Sequence, residues 1–250
     1  MTMTRYFLAK HPLLGTKNKP AALKLQERSP YYWWWAYLKR NSEYIACCEK
    51  GGKGKLASLY ADFGDVRGDE FRNWWGAPSN KGAYLFLEQP LELSVQKIDT
   101  QQDWDERWGD NVMVVAVNLD MGRRKLQKQF ANLLQYESFS KRGRKSLSKT
   151  MSSSRYPLHR NFTTSNLKVM LDVYDKVTAN NLLPKEQRLY LWQIGESIRL
   201  VPTAMPHKWD NVYDTRKKHN TMTMSVSRFY ANACAIVANT AKGQFPNSDL

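Results

Sequence analysis

Apolar residues in the first third of the chain recur three and four positions apart, the spacing that buries one face of an α-helix. Ser29 and Pro30 form a typical helix start, because a serine side chain caps free backbone amides and proline suits the first turn. We predict three aromatic-rich helices, each followed by a glycine, over residues 31–50, 55–63 and 68–75. Residues 29–80 are therefore expected to form an aromatic-rich helical lobe behind an extended arm at 1–28.

The pattern changes to short alternation in the next part of the chain. Residues 83–95 alternate weakly around Pro90, which predicts two short strands. The valine-rich run between Asn111 and Leu119 predicts a buried strand, because β-branched side chains favour strands. We therefore expect a small sheet of about three strands within residues 81–120.

Helical spacing returns after this region, now among basic residues. Further helices are predicted from Asp120, from Thr164 or Ser165, over Lys185 to Ile198, and from about Ser225 to Ala241. Residues 121–163 are expected to be a basic helix and a flexible connector, and residues 164–250 a basic helical lobe. The predicted fold class is α+β and predominantly α.

Nearly all of the net positive charge of the chain lies in its second half. The 250 residues carry a net charge of +15, and 22 basic and 8 acidic residues follow Asp120, a balance of +14. A localised positive field attracts phosphate polyanions and speeds encounter with them. The positive charge could also serve only to keep the protein soluble, but solubility does not require such a one-sided distribution of charge.

The predicted last helix carries the most specific polar arrangement. Ser227, Arg228 and Asn232 are expected to face outward near its start, where a helix-turn-helix protein contacts bases and phosphates. The partner helix would be the one that ends at Ile198, in which Gly195 permits close packing. The connection of about twenty-five residues is much longer than the usual three or four. A generic amphipathic helix in a bundle is the alternative.

Two groups of basic residues are expected to hold phosphates. One lies in the predicted connector, where flexible chain dense in donors suits a phosphate-tracking or minor-groove arm. The other lies in the polar stretch before the last helix. The predicted phosphate contacts are Lys141, Arg142, Arg144, Lys145, Lys217 and Lys218.

The aromatic run from Tyr31 to Trp35 allows two interpretations. Its rings could stack on the bases of a single strand. Consecutive residues of a helix point in different directions, however, so at least two of the rings must pack inside. A structural hub is the favoured interpretation.

Enzymatic and metal chemistry find little support in the sequence. An acidic cluster could hold a nuclease metal ion, but helix caps explain it more simply; its residues are Asp62, Asp65, Asp69 and Glu70. The four histidines lack paired ligand spacing, so no cofactor or metal is expected. With three cysteines, no long apolar run and no signal-peptide core, the chain is expected to be cytoplasmic and without a membrane partner.

Several short strings resemble proteins carried by bacterial mobile genetic elements. They are Ser-Pro-Tyr-Tyr-Trp-Trp-Trp at 29–35, Leu-Tyr-Ala-Asp-Phe-Gly-Asp at 59–65, Leu-Trp-Gln-Ile-Gly at 191–195, Val-Ser-Arg-Phe at 226–229 and Gly-Gln-Phe-Pro at 243–246. The resemblance implies a plasmid, phage or phage-satellite setting in a bacterial host. It implies no particular activity.

The sequence therefore favours a non-enzymatic accessory or regulatory protein that binds double-stranded DNA through its basic C-terminal half. The alternative is a structural assembly protein, such as a capsid scaffold or decoration factor of a phage satellite. Its basic half would bind an acidic coat-protein surface, and its aromatic lobe would mediate homo-oligomer formation. A nuclease that uses the acidic cluster is the third hypothesis.

Overall fold

Helices dominate the computed structural model, which describes residues 7–16, 18–88, 98–101, 113–135, 152–159 and 163–249. Residues 1–90 and 152–250 belong to one compact unit, and residues 91–151 belong to a second. The described helices are α1 (Leu23–Gln26), α2 (Pro30–Leu38), α3 (Ser42–Glu49), α4 (Ala57–Phe63), α5 (Phe71–Phe86), α6 (Arg123–Gln135), α7 (Thr164–Asn181), α8 (Leu191–Ser197) and α9 (Val212–Thr240). Short 3-10 helices cover Lys185–Gln187 and Pro202–Ala204.

Helix α2 lies at the centre of the first unit. It begins as predicted at Pro30, and the Ser29 hydroxyl accepts a hydrogen bond from the Tyr31 amide at 3.3 Å. Trp34 and Tyr37 have no exposed surface. The Tyr37 hydroxyl donates to the Leu167 carbonyl oxygen of α7 at 2.9 Å, so α2 is bonded directly to a helix 130 residues away.

The aromatic run of α2 is a structural hub, as the sequence favoured. Tyr31, Trp33, Trp34 and Trp35 are all at most 4% exposed, which leaves no ring face among them for a nucleobase. Their neighbours are largely other aromatic rings from α4, α5 and the C-terminal segment. Large apolar rings packed in this way contribute much of the stability of a core.

The single helix predicted over 31–50 is two helices, so that prediction was wrong in its length. The chain turns at Asn41, whose side-chain oxygen accepts from the Tyr44 amide at 2.9 Å and caps α3. The Asn41 amide group donates to the Val237 carbonyl oxygen of α9 at 3.0 Å. A buried asparagine that caps one helix and bonds to another fixes the break between α2 and α3.

Replacing Asn41 with alanine is expected to lower the free energy of unfolding by about 2 kcal/mol, because both a cap and a buried hydrogen bond are lost. Thr163→Ala is the matched control, since Thr163 caps α7 on the surface and bonds only within that turn. Urea denaturation of both variants measures the difference. A loss at Asn41 no larger than the loss at Thr163 would contradict a role for the bond to α9.

Helix α5 also extends further than the sequence indicated. The expected stop after residue 75 is absent, and the backbone stays helical through Pro78 to Phe86. The Phe86 ring stacks on Tyr31 and on Trp75, with ring centroids 4.7 and 5.9 Å away. Tertiary packing of this ring against the core favours the helix over the break that proline alone would cause.

The predicted small sheet is wrong for the described residues, which contain isolated bridges but no strand. Residues 83–86 complete α5 instead of forming a strand, and the rest of the 83–95 prediction lies mostly outside the described residues. Residues 113–118 are irregular, and Val114 is 69% exposed. Strand propensity reflects packing on a half-buried surface, and this valine-rich run lacks that packing. The described fold is therefore helical rather than α+β.

Helix α6 is the main described element of the second unit. Its apolar residues Leu126, Phe130 and Leu134 recur at helical spacing as predicted, but none of its residues is fully buried. Its basic residues Arg123 and Arg124 are exposed.

The C-terminal helices α7, α8 and α9 pack around their own apolar cluster. Val173 and Val177 of α7 meet Ile194 of α8 and Val226 of α9, and all four are at most 3% exposed. Gly195 permits the close packing that its position predicted: a Cβ atom there would lie 2.4 Å from Cγ of Met222 in α9. Helix α8 therefore lies directly against α9.

Candidate functional site

Helix α9 starts thirteen residues earlier than predicted, at Val212 rather than about Ser225. Asn211 caps it, because its side-chain oxygen accepts from the Asp214 amide at 2.8 Å. The first ten residues of α9 include no buried side chain, and the first one is Met222. Without apolar periodicity, this stretch resembled a polar loop in the sequence.

One side of α9 is exposed along most of its length. Its residues, which we call the outer face, are Tyr213, Arg216, Lys217, Asn220, Met224, Ser227 and Arg228. They recur at intervals of three and four and therefore share one face. From the first to the last, the outer face is about 22 Å long at the usual helical rise. The opposite side of the helix carries the buried Met222, Val226 and Ala233.

The outer face is positively charged. Arg216, Lys217 and Arg228 contribute three cations, and it contains no carboxylate. Asp214, in the first turn, is the only acidic residue of α9. Among the described residues, no salt bridge involves Arg216 or Lys217. These two cations are therefore available to an anionic ligand.

The structure brings together three of the residues that the sequence selected. Lys217, Ser227 and Arg228 all lie on the outer face, although the sequence assigned Lys217 to a separate polar stretch. Asn232 is half-buried one turn beyond Arg228, at the edge of that face. Ser227 and Arg228 lie in the middle of a long helix, so their predicted position near a helix start was wrong.

Lys218 differs from its neighbour because it is bonded to a carboxylate. Its ammonium group donates to both oxygens of Asp210, each at 2.7 Å, and Asp210 also accepts from the His207 amide at 2.6 Å. The hydrogen bond from Lys218 lowers the pKa of Asp210 below its ordinary value. Lys218 therefore stabilises the turn before α9 instead of presenting a free cation.

The remaining predicted phosphate contacts lie outside the described residues. They are Lys141, Arg142, Arg144 and Lys145.

The arrangement of α8 and α9 resembles a helix-turn-helix only in part. The two helices pack closely through Gly195, and residues 198–211 connect them. This connection is shorter than the twenty-five residues expected from the sequence but longer than a turn of three or four. In the early turns of α9, the outer face also includes Arg216 and Asn220, which the sequence analysis did not select. Asn211 followed by Asp214 was the available signal, since this pair is typical of a helix start.

The acidic cluster considered for a nuclease does not assemble into a site. Asp62 accepts a hydrogen bond from Tyr156 and pairs with Arg155 at 2.8 Å. Asp65 pairs with Arg67 at 2.7 Å, and Glu70 of the same cluster accepts from Asn73. In the described part of the chain, no group of three His, Cys, Asp or Glu side chains is placed to hold a metal ion.

Two further findings bear on function. Across the described ranges, no helix combines the length and apolar character needed to cross a bilayer. Comparisons with protein-family models, with curated proteins and with solved structures give no significant match for this chain.

Proposed function

We propose that this protein binds double-stranded DNA without catalysis, through the outer face of α9. The observation that carries the proposal is a continuous exposed face about 22 Å long, with three cations and no carboxylate. The major groove of B-DNA admits an α-helix, and phosphate contacts by Lys and Arg supply most of the affinity. The other side of α9 is held by the core, which leaves the outer face free for the ligand.

The position of each residue along the outer face decides whether we expect it to contact a base or a phosphate. A straight α-helix in the major groove comes nearest to the base edges at the middle of the α-helix. Because the groove curves around the DNA, the ends of the α-helix lie nearer to phosphates. Asn220 lies near the middle, and asparagine suits the hydrogen-bonding edge of adenine. Lys217 and Arg228 lie on either side of it and hold phosphates, and the Ser227 hydroxyl adds a phosphate contact.

The biological setting belongs to the same proposal. The resemblance of the short sequence strings supports a setting on a bacterial mobile genetic element, in which an accessory or regulatory protein would bind the DNA of that element. Such a protein would act in the cytoplasm of the host cell. Lys141, Arg142, Arg144 and Lys145 remain proposed phosphate contacts that do not depend on sequence.

The double substitution Lys217→Ala and Arg228→Ala is expected to weaken duplex binding by about tenfold or more at physiological salt. It should also reduce the dependence of log K on log salt by about two, roughly one for each lost phosphate contact. Fluorescence anisotropy on random-sequence duplex across a salt series measures both quantities.

The matched control is Lys50→Ala, because Lys50 is an exposed lysine beyond the end of α3. It removes a positive charge from the chain without touching α9. Equal losses in the Lys50 variant and in the single Lys217→Ala variant would show that net charge, rather than the outer face, governs binding. A wild-type protein that binds no duplex at any salt concentration would remove the proposal.

A further inference from the structure

A surface groove lies between α8 and the first turns of α9. It has a volume of about 510 Å³, and its lining residues are Trp192, Asp210, Val212, Thr215, Arg216, His219, Asn220 and Thr223. A cavity of this size falls in the range that holds small ligands. Arg216 and Asn220 belong to both this groove and the outer face, so the two surfaces are continuous.

Stacked rings form one wall of the α8–α9 groove. The Trp192 ring is parallel to the His219 ring, with centroids 3.7 Å apart and planes within 12°. Glu196 lies near His219, with its Oε1 atom 3.8 Å from Nε2. The Tyr190 ring is parallel to Trp192 within 7°, and Tyr190 is 72% exposed. The outer end of this stack therefore offers aromatic surface to solvent.

Two more exposed aromatic residues are sequence neighbours of lining residues. Trp209 is 86% exposed and directly precedes the lining residue Asp210. Tyr213 is 74% exposed, directly follows the lining residue Val212, and belongs to the outer face. Exposed large aromatic side chains that cluster on a folded protein are typical of binding surfaces.

The charge of the groove favours an anionic ligand. Among the lining residues, Asp210 alone carries a carboxylate, and both Asp210 oxygens are bonded to Lys218. The guanidinium of Arg216 has no carboxylate partner among the described residues. Hydroxyl and amide groups from Thr215, Thr223 and Asn220 complete the polar lining. Rings, a free guanidinium and neutral hydrogen-bonding groups together match the base and phosphate of a nucleotide.

We propose that the α8–α9 groove binds an unpaired nucleotide of the DNA held by the outer face, with Arg216 on the phosphate and the exposed rings on the base. This inference rests on the proposed function, because it adds an unpaired nucleotide to the duplex DNA proposed for the same site. Base pairs in the interior of a duplex stack on one another and offer no face to Trp209 or Tyr190. An unpaired base offers both faces, and Arg216 connects the groove to the phosphate path along α9. The preferred ligand is therefore a junction between duplex and single-stranded DNA.

The test compares two labelled DNAs, a blunt duplex and the same duplex with a short single-stranded tail. Fluorescence anisotropy with wild-type protein is expected to show about tenfold tighter binding to the tailed duplex, a factor typical of stacking on an aromatic side chain. Trp209→Ala should reduce that preference severalfold while leaving the affinity for blunt duplex unchanged. Trp192→Ala should also reduce it, and circular dichroism establishes whether that half-buried substitution leaves the helices intact.

Tyr84→Ala is the matched control, because Tyr84 is a 77% exposed aromatic residue of α5. It should retain the full preference for the tailed duplex. Equal wild-type affinity for the two DNAs would overturn the inference while the proposed function stands. Undiminished preference in the Trp209 variant, or a loss shared by the Tyr84 variant, would also overturn it. Failure of the wild-type protein to bind either DNA would instead remove the proposed function itself.

Discussion

Replacing Trp34 with alanine is expected to lower the free energy of unfolding by about 3–5 kcal/mol, the range for deleting a large ring from a packed core. The Trp34 side chain is fully buried. Its ring contacts the rings of Phe63, Phe86 and Phe245, with centroids 5.9, 5.1 and 5.2 Å away. These partners come from α4, from α5 and from the segment after α9, so the substitution leaves a cavity where three parts of the fold meet. Urea denaturation followed by circular dichroism measures the loss.

Tyr84→Ala provides the comparison for Trp34, since it removes an aromatic side chain that is 77% exposed. A surface substitution of this kind is expected to change stability by no more than about 0.5 kcal/mol. A Trp34 variant as stable as the Tyr84 variant would contradict the central position of α2. The stability of Trp34→Phe should fall between those of the two alanine variants, because the Trp34 Nε1 atom has no hydrogen-bond partner among the described residues.

Gly195→Val is expected to destabilise the protein by about 2–3 kcal/mol, because it forces side-chain atoms into a closely packed contact. A Cβ atom at Gly195 would lie 2.6 Å from Sδ of Met222 and 2.9 Å from a methyl group of Val226. Both neighbours are fully buried, so neither can move aside without disturbing the cluster between α7, α8 and α9. Thermal and urea denaturation measure the change in stability.

Gly76→Val is the matched control for Gly195, since a Cβ atom at Gly76 in α5 would meet no atom of the described side chains within 4 Å. That substitution should be close to neutral, because valine has a better helix propensity than glycine. A Gly195 variant that keeps wild-type stability would show that α8 can separate from α9 at little cost. The α8–α9 groove would then not be a fixed feature of the surface.

The sequence was most informative where a residue had a strong local role. Ser29 followed by Pro30 predicted the start of α2, and Gly195 predicted the close contact between α8 and α9, because each depends on the residue's own geometry. The aromatic run at 31–35 could also be assigned to the core, since neighbouring helical side chains cannot all face solvent. In these places, local chemistry and tertiary packing favour the same structure.

Tertiary contacts explain why some of the helix and strand predictions were wrong. The break at Asn41 combines a local helix cap with a hydrogen bond to Val237, nearly 200 residues away, and the local sequence does not indicate that second bond. The helix through Pro78 depends on packing of Phe86 against Tyr31. The valine-rich run at 113–118 had strand propensity but no packed surface to support a strand.

The candidate site was predictable in part. Lys217, Ser227 and Arg228 were selected from charge and residue type, and they share one face because α9 is continuous through all three. Arg216 and Asn220 were missed because the first turns of α9 bury nothing and so lack the apolar periodicity on which the helix prediction depended. The Asn211 cap was the available evidence that the helix begins there.

The length of α9 has a consequence for the proposed binding of DNA. Its last turns are part of the core through Ala233, Ile236 and Val237, while its first turns carry most of the outer face. A single unbroken helix joins the two, so the residues proposed to bind DNA belong to a rigid helix whose C-terminal end is fixed in the core. Little conformational entropy is then lost on association, because the cations need only select side-chain rotamers and the backbone is preorganised before the ligand arrives.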